Sequence, residues 1–225
     1  MNRLKIMTAA IAALLMAAMW SCSGPVPEGR FVIEGNLKGA DGHLRLLTRR
    51  FALADTTISK NGRFRFEGEV TEPALMFIVK PGTAQPMLAG LFVESGKRIK
   101  ISGNVAEGEE RRIKVSGSEM NETYYHVMEE GRRISEDTLN RAPAERDSAV
   151  LAIIEPAMLA NTDNVMGEVL LSNIAKFYSP RRMLEILDRF PRQRRDSSLQ
   201  LLSLEGWALT AIRALETEAA DSSAR

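Results

Sequence analysis

The hydrophobic pattern changes its period once along the chain. From Arg30 to about Gly117, apolar and polar residues alternate in short runs, as in strands with one buried face. Glycine and proline turns separate the runs, and Asn61-Gly62 is a hairpin signal because both residues accept a positive φ. The predicted strands, about eight in number, cover residues 31–35, 43–49, 51–58, 63–67, 75–79, 88–94, 98–102 and 111–116.

From Ser118 onward the apolar residues recur with a helical period. Met120, Tyr124 and Val127 form the first buried stripe. A further set of residues marks where helices begin, by capping or by fixing φ: Pro143, Asp163 or Asn164, Ser179-Pro180 and Asp196. Pro156 is expected to kink or end the second helix.

These patterns predict an α+β protein with its strands first. An antiparallel β-sandwich or open barrel is followed by a C-terminal helical bundle. The predicted organisation is a signal peptide (1–21), a tether (22–29), a sandwich-like domain (30–117), a helical region (118–217) and a frayed tail (218–225).

The amino terminus has the features of an export signal. Arg3 and Lys5 precede an uncharged stretch over 6–20, too short for a membrane span and suited to a secretory h-region. Ser21-Cys22 then resembles the lipobox of bacterial lipoproteins, although Met19 and Trp20 depart from its usual residues. The resemblance implies that Cys22 is acylated and becomes the first mature residue, which anchors the protein to a lipid membrane. We therefore expect a bacterial envelope location. Since no acidic run follows Cys22, an outer-membrane anchor facing the periplasm is favoured over surface display.

Composition and charge narrow the function classes. Lysine and arginine number 30 against 29 acidic residues, so the sequence indicates no nucleic-acid partner. The single cysteine excludes an internal disulfide and a cysteine-based zinc site.

The chemistry-bearing motifs are absent from the sequence. It contains no nucleophile elbow, no zinc-protease motif and no phosphate-binding loop. His43 and His126 have no evident nucleophile or orienting partner. We predict no catalytic residues, no metal and no cofactor, with a hydrolase using buried acids as a minor alternative. Tyr125, Arg181 and Arg182 are binding candidates. The arginine-rich segment 181–195 is interpreted as a solvated helix face, with a patch that faces anionic lipid or a partner as the alternative.

A series of glycine-punctuated motifs resembles a known domain. The series comprises Phe31-x-Ile33-x-Gly35, Asn61-Gly62-x-Phe64-x-Phe66-x-Gly68, Phe92-x-Glu94-x-Gly96-Lys97-x-Ile99-x-Ile101-x-Gly103, Val115-x-Gly117-Ser118 and Asn121. It is similar to the uncharacterised N-terminal β domain, a domain of unknown function, of TlpA-like thioredoxin-fold lipoproteins. In those relatives a Trp-Cys-x-x-Cys domain follows the helices. This sequence has no counterpart of it, so the resemblance implies no disulfide chemistry for any residue here.

Two functional hypotheses follow. The first is a non-catalytic, membrane-anchored envelope lipoprotein that binds a protein, peptide or glycan. The alternative is an accessory to periplasmic thiol-disulfide exchange that works with a separate thioredoxin-fold partner.

Overall fold

The structure, a computed structural model, describes residues 24–223. Cys22 and the predicted signal peptide lie outside the described residues. Within residues 24–223, eight strands precede six helices, which confirms the predicted α+β class and order. The strands are β1 (Arg30–Lys38), β2 (Gly42–Thr48), β3 (Leu53–Ser59), β4 (Arg63–Glu69), β5 (Ala74–Val79), β6 (Met87–Val93), β7 (Lys97–Asn104) and β8 (Arg112–Ser116).

The strands form two four-stranded sheets, ordered β4-β1-β7-β8 and β3-β2-β5-β6. Side chains from both sheets meet in one core that includes Ile33, Leu46 and Ile99, each fully buried. The two sheets therefore make a sandwich. Its antiparallel character has one exception, because β1 and β7 pair in parallel, with Ile33 opposite Ile99. The turn signals between consecutive strands carry no information about this pair, since five strands separate its members.

Asn61 and Gly62 make the predicted tight turn, with φ values of 52° and 75°. The strands on either side of it belong to different sheets, although Lys60 and Arg63 still bridge each other at the turn. The turn is consequently the corner at which the chain passes from one sheet to the other.

The helical region covers the outer face of the second sheet. Leu75 of β5 and Phe92 of β6 belong to a second apolar core that the helices complete. The helices are α1 (Glu119–Asp137), α2 (Pro143–Leu159), α3 (Val165–Ile174), α4 (Pro180–Leu187), α5 (Arg192–Ser197) and α6 (Leu199–Ser223), with a 3-10 turn over Ala175–Phe177. The molecule thus has three layers, sheet on sheet on helices. No helix within residues 24–223 is long and apolar enough to cross a membrane.

Local signals located several helix starts correctly. Pro143 opens α2, Asn164 caps α3 by accepting from the Met166 amide at 2.9 Å, and Ser179 caps α4. Pro156 does not end α2, which continues to Leu159.

Three boundaries differ from the prediction. Asp196 lies inside α5, and the long last helix begins after Ser198, whose carbonyl accepts from the Leu202 amide at 3.0 Å. That helix continues to Ser223, through most of the predicted tail at 218–225. In the predicted tether, the Gly24 carbonyl accepts from Arg98 at 3.1 Å and the Gly29 amide donates to Ser95 at 2.8 Å. Residues 24–29 therefore lie against the sandwich.

Candidate functional site

A cleft of about 850 Å³ lies where the sandwich meets the helices. We call it the junction cleft. It is lined by the β2–β3 hairpin, the start of β5, α3, the end of α5 and the start of α6. The lining residues are Thr48, Arg49, Arg50, Glu72, Pro73, Ala74, Leu75, Met76, Val165, Glu168, Arg194, Ser197, Ser198, Leu199, Gln200, Ser203 and Leu204.

A buried carboxylate lies at the base of this cleft. Glu168 is only 3% exposed, and both of its oxygens are occupied. One oxygen is bound by Arg194, while the other accepts from Arg49 at 3.0 Å and from the Ser198 hydroxyl at 2.7 Å. The site joins the sandwich to α3, α5 and the start of α6. Ionised groups are rarely buried without partners, so the two arginines account for the burial of the Glu168 carboxylate.

The β2–β3 hairpin presents two arginines to the cleft. Its tip is closed by the Phe51 amide, which donates to the Thr48 carbonyl at 2.8 Å. Phe51 has a φ of 59°, a strained value for a bulky side chain. Its ring stacks on Phe77 at 5.8 Å between centroids, which stabilises the tip against the sheet. Arg49 is thereby directed to Glu168, and Arg50 lies beside it at the rim.

Arg50 differs from the other two arginines of the cleft. Its side chain is exposed and has no ion-pair or hydrogen-bond partner among residues 24–223. The cleft holds three arginines and two glutamates, so its net charge is positive. Its wall also carries the apolar side chains of Leu75, Met76 and Val165. Such a lining suits a partner with apolar groups and negative charge.

The three binding candidates from the sequence lie outside this cleft. Tyr125 is half-buried, and its hydroxyl donates to the Gly90 carbonyl at 2.8 Å. Arg181 approaches Glu216 at 3.6 Å. Arg182 binds two carboxylates, those of Glu155 and Glu185, each at 2.9 Å. Their side chains are thus engaged within the chain.

The two histidines also form no site with other chemistry-bearing side chains among residues 24–223. His126 approaches the Glu130 carboxylate at 3.7 Å on the exposed side of α1, and His43 lies on β2. Within the described residues no group of three histidine, cysteine, aspartate or glutamate side chains could hold a metal ion.

Sequence reasoning missed the junction cleft. One signal was present: Glu168 is the single charged residue in the otherwise apolar and small-residue helix α3, VMGEVLLSNI. A carboxylate at such a position implies a buried cationic partner. The sequence does not say which of 30 basic residues supplies it.

Comparison with known families matches the strands of the sandwich to one family model. Residues 31–124 match the family model described as Domain of unknown function (DUF4369). The match runs from β1 to the first turns of α1, so it covers every strand. The chain thus contains an uncharacterised domain of unknown function. Comparison with curated proteins gives no match.

Proposed function

We propose that this protein is a lipid-anchored, non-catalytic binding module of the bacterial cell envelope, and that the junction cleft receives an acidic peptide segment of a partner protein. The observation that carries the proposal is the state of the Arg50 side chain. Its guanidinium has no partner among residues 24–223 and lies at the rim of a cleft whose other two arginines already share a buried carboxylate.

The polar groups of the cleft favour a peptide. Ser197, Gln200 and Ser203 line it together with the apolar residues of β5. Hydroxyl and amide groups can hydrogen-bond to a peptide backbone, while Arg50 pairs with an acidic side chain or a C-terminal carboxylate. The stacked hairpin tip holds the backbone next to Arg50 in place, which lowers the entropy cost of binding.

Site-specific photo-crosslinking in living cells tests the binding role. A photoreactive phenylalanine analogue at position 50 should give a discrete adduct with an envelope protein. The matched control is position 60, since Lys60 is also exposed and lies at the β3–β4 corner, outside the cleft. Equal adducts at both positions, or none at position 50, would contradict the proposal.

The anchor is part of the same proposal. The lipobox-like sequence supports acylation of Cys22, and only Ser23 separates this residue from Gly24, which is hydrogen-bonded to Arg98. A lipid on Cys22 would hold the β6–β7 end of the sandwich close to the membrane surface.

Metabolic labelling with a fatty acid tests the anchor directly. The wild-type protein should incorporate the label, and the Cys22→Ser variant should not. Label in the Cys22→Ser variant, or its absence from the wild type, would refute lipid attachment at Cys22. This result is independent of the crosslinking at position 50.

A further inference from the structure

The last helix, α6, presents an apolar stripe away from the rest of the molecule. Its inner face is buried through Leu201 and Ala208, at 1% and 0% exposure. Leu202 and Leu209, seven residues apart and so on one side of the helix, remain 42% and 41% exposed. Gly206 lies between them, and a side chain there would meet no atom within 4 Å. We call Leu202, Glu205, Gly206, Leu209 and Arg213 the α6 stripe.

The charges of the α6 stripe are unpaired. Glu205 lies four residues before Leu209 and Arg213 four residues after it. Neither side chain has an ion-pair or hydrogen-bond partner within residues 24–223, although Glu216 one turn further on already approaches Arg181. Leu209 is therefore flanked by a free negative charge on one side and a free positive charge on the other, and Leu202 lies one turn beyond Glu205.

We propose that α6 pairs in antiparallel orientation with α6 of a second copy of this chain, about a twofold axis at Leu209. This axis places Glu205 against Arg213 of the partner subunit, and Arg213 against the partner's Glu205. Because the interface is isologous, each complementary contact occurs twice. A parallel pair would instead oppose like residues and bring the two Glu205 carboxylates together.

The shape of the stripe fits the same arrangement. The twofold axis at Leu209 places Gly206 opposite the partner's Ile212, a half-buried side chain at the edge of the stripe. The absence of a side chain at Gly206 gives that isoleucine space, and the two leucines at position 209 meet on the axis. A single helix from each copy makes a small interface, so we expect a reversible dimer.

Cysteine crosslinking of the full-length protein in membranes tests the axis. Leu209→Cys should form a disulfide-linked dimer on mild oxidation, because the axis brings the thiol at position 209 against the same thiol of the second copy. Thr210→Cys is the matched control. Thr210 is the next residue and is exposed, but it faces another side of the helix. The wild-type protein, whose single cysteine is Cys22, shows how much dimer arises from a disulfide at Cys22. Equal crosslinking at positions 209 and 210, or none at position 209, would overturn the proposal.

A charge exchange tests the orientation. Glu205→Arg and Arg213→Glu should each lower the association constant about tenfold, because each converts two attractive contacts into repulsive ones. The double variant E205R/R213E should recover association to near the wild-type value, measured as crosslinking yield in the Leu209→Cys background. Both positions are accessible to solvent, and circular dichroism checks that the variants remain folded. A double variant as weak as the single ones would overturn the antiparallel pair.

Discussion

Gly35 and Phe64 face each other across the β1–β4 pair, and the Phe64 ring covers the glycine. A Cβ atom built at Gly35 would lie 2.0 Å from the ring. The same register places Phe31 opposite Gly68 and Ile33 opposite Phe66. The motif that begins at Phe31 and the motif that begins at Asn61 are therefore complementary halves of one antiparallel pair, in which the Phe64 ring packs over Gly35 and the Phe31 ring over Gly68.

The Gly35→Ala substitution tests this packing. The added methyl must displace the Phe64 ring within the core, so we expect the free energy of unfolding to fall by about 2 kcal/mol. Denaturant-induced unfolding measures the change. Gly24→Ala is the control and should have no effect, since a side chain there meets nothing within 4 Å. An unchanged midpoint for Gly35→Ala would show that the ring can move freely.

All three tyrosines of the chain are predicted to resist ionisation. Burial raises the pKa of Tyr124, Tyr125 and Tyr178 above the usual value. The stability that their neutral phenols contribute is fully present below the unfolded pKa of about 10, and is lost as the pH rises toward the raised values. Phenolate absorbance should therefore lag behind that of free tyrosine and should rise together with the loss of circular dichroism. Phenolate formation near pH 10 in a protein that remains folded would contradict this expectation.

At the scale of elements, α1 covers the free edge of β6. Asn121 accepts from the Phe92 amide at 2.8 Å and donates to its carbonyl at 2.7 Å, which imitates a neighbouring strand. The Tyr125 hydroxyl continues the contact at Gly90, and Arg111 donates to the Met87 carbonyl at 2.7 Å. An exposed edge is a template for pairing with other chains, so this cover protects the sheet.

Asn121→Ala should remove this protection. It leaves the buried amide and carbonyl of Phe92 without partners, so we expect a loss of about 3 kcal/mol in the free energy of unfolding. Aggregation measured by light scattering should increase, because the edge becomes available. Asn36→Ala serves as the control, since Asn36 is exposed and its side chain makes no hydrogen bond with the described residues. Equal stability of the two variants would argue against an edge-covering role.

At the scale of the whole molecule, the ion pairs of Glu168 connect the sandwich to the helices. Arg49 comes from the β2–β3 hairpin, and Arg194 comes from α5, 26 residues beyond Glu168. Their side chains are 31% and 24% exposed, so water partly screens both pairs.

We expect Glu168→Gln to lower the free energy of unfolding by about 2 kcal/mol, less than for a fully buried pair. Hydrogen exchange should accelerate in the hairpin and at the start of α6, while β1 keeps its protection. The control, Glu185→Gln, changes an exposed carboxylate and should alter stability by less than about 0.5 kcal/mol. Uniform acceleration across β1 would show that Glu168 supports the fold as a whole and does not act as a local clamp.

The sequence by itself determined the features that depend on neighbours along the chain. The number and order of the strands follow from alternating residues, and the starts of α2, α3 and α4 follow from Pro143, Asn164 and Ser179. Each of these signals acts within about four residues, through a fixed φ or one capping hydrogen bond.

The tertiary structure alone decided the features that join distant segments. These are the parallel β1–β7 pair, the corner at Asn61-Gly62, the cover of β6 by Asn121 and the clamp at Glu168. Strand pairing and ion pairing depend on which surfaces the packed layers bring together. A buried carboxylate in the sequence shows that a partner must exist, but only the packing of three layers brings Arg49 to it across 119 residues. The site of proposed binding is therefore a property of the junction between the layers.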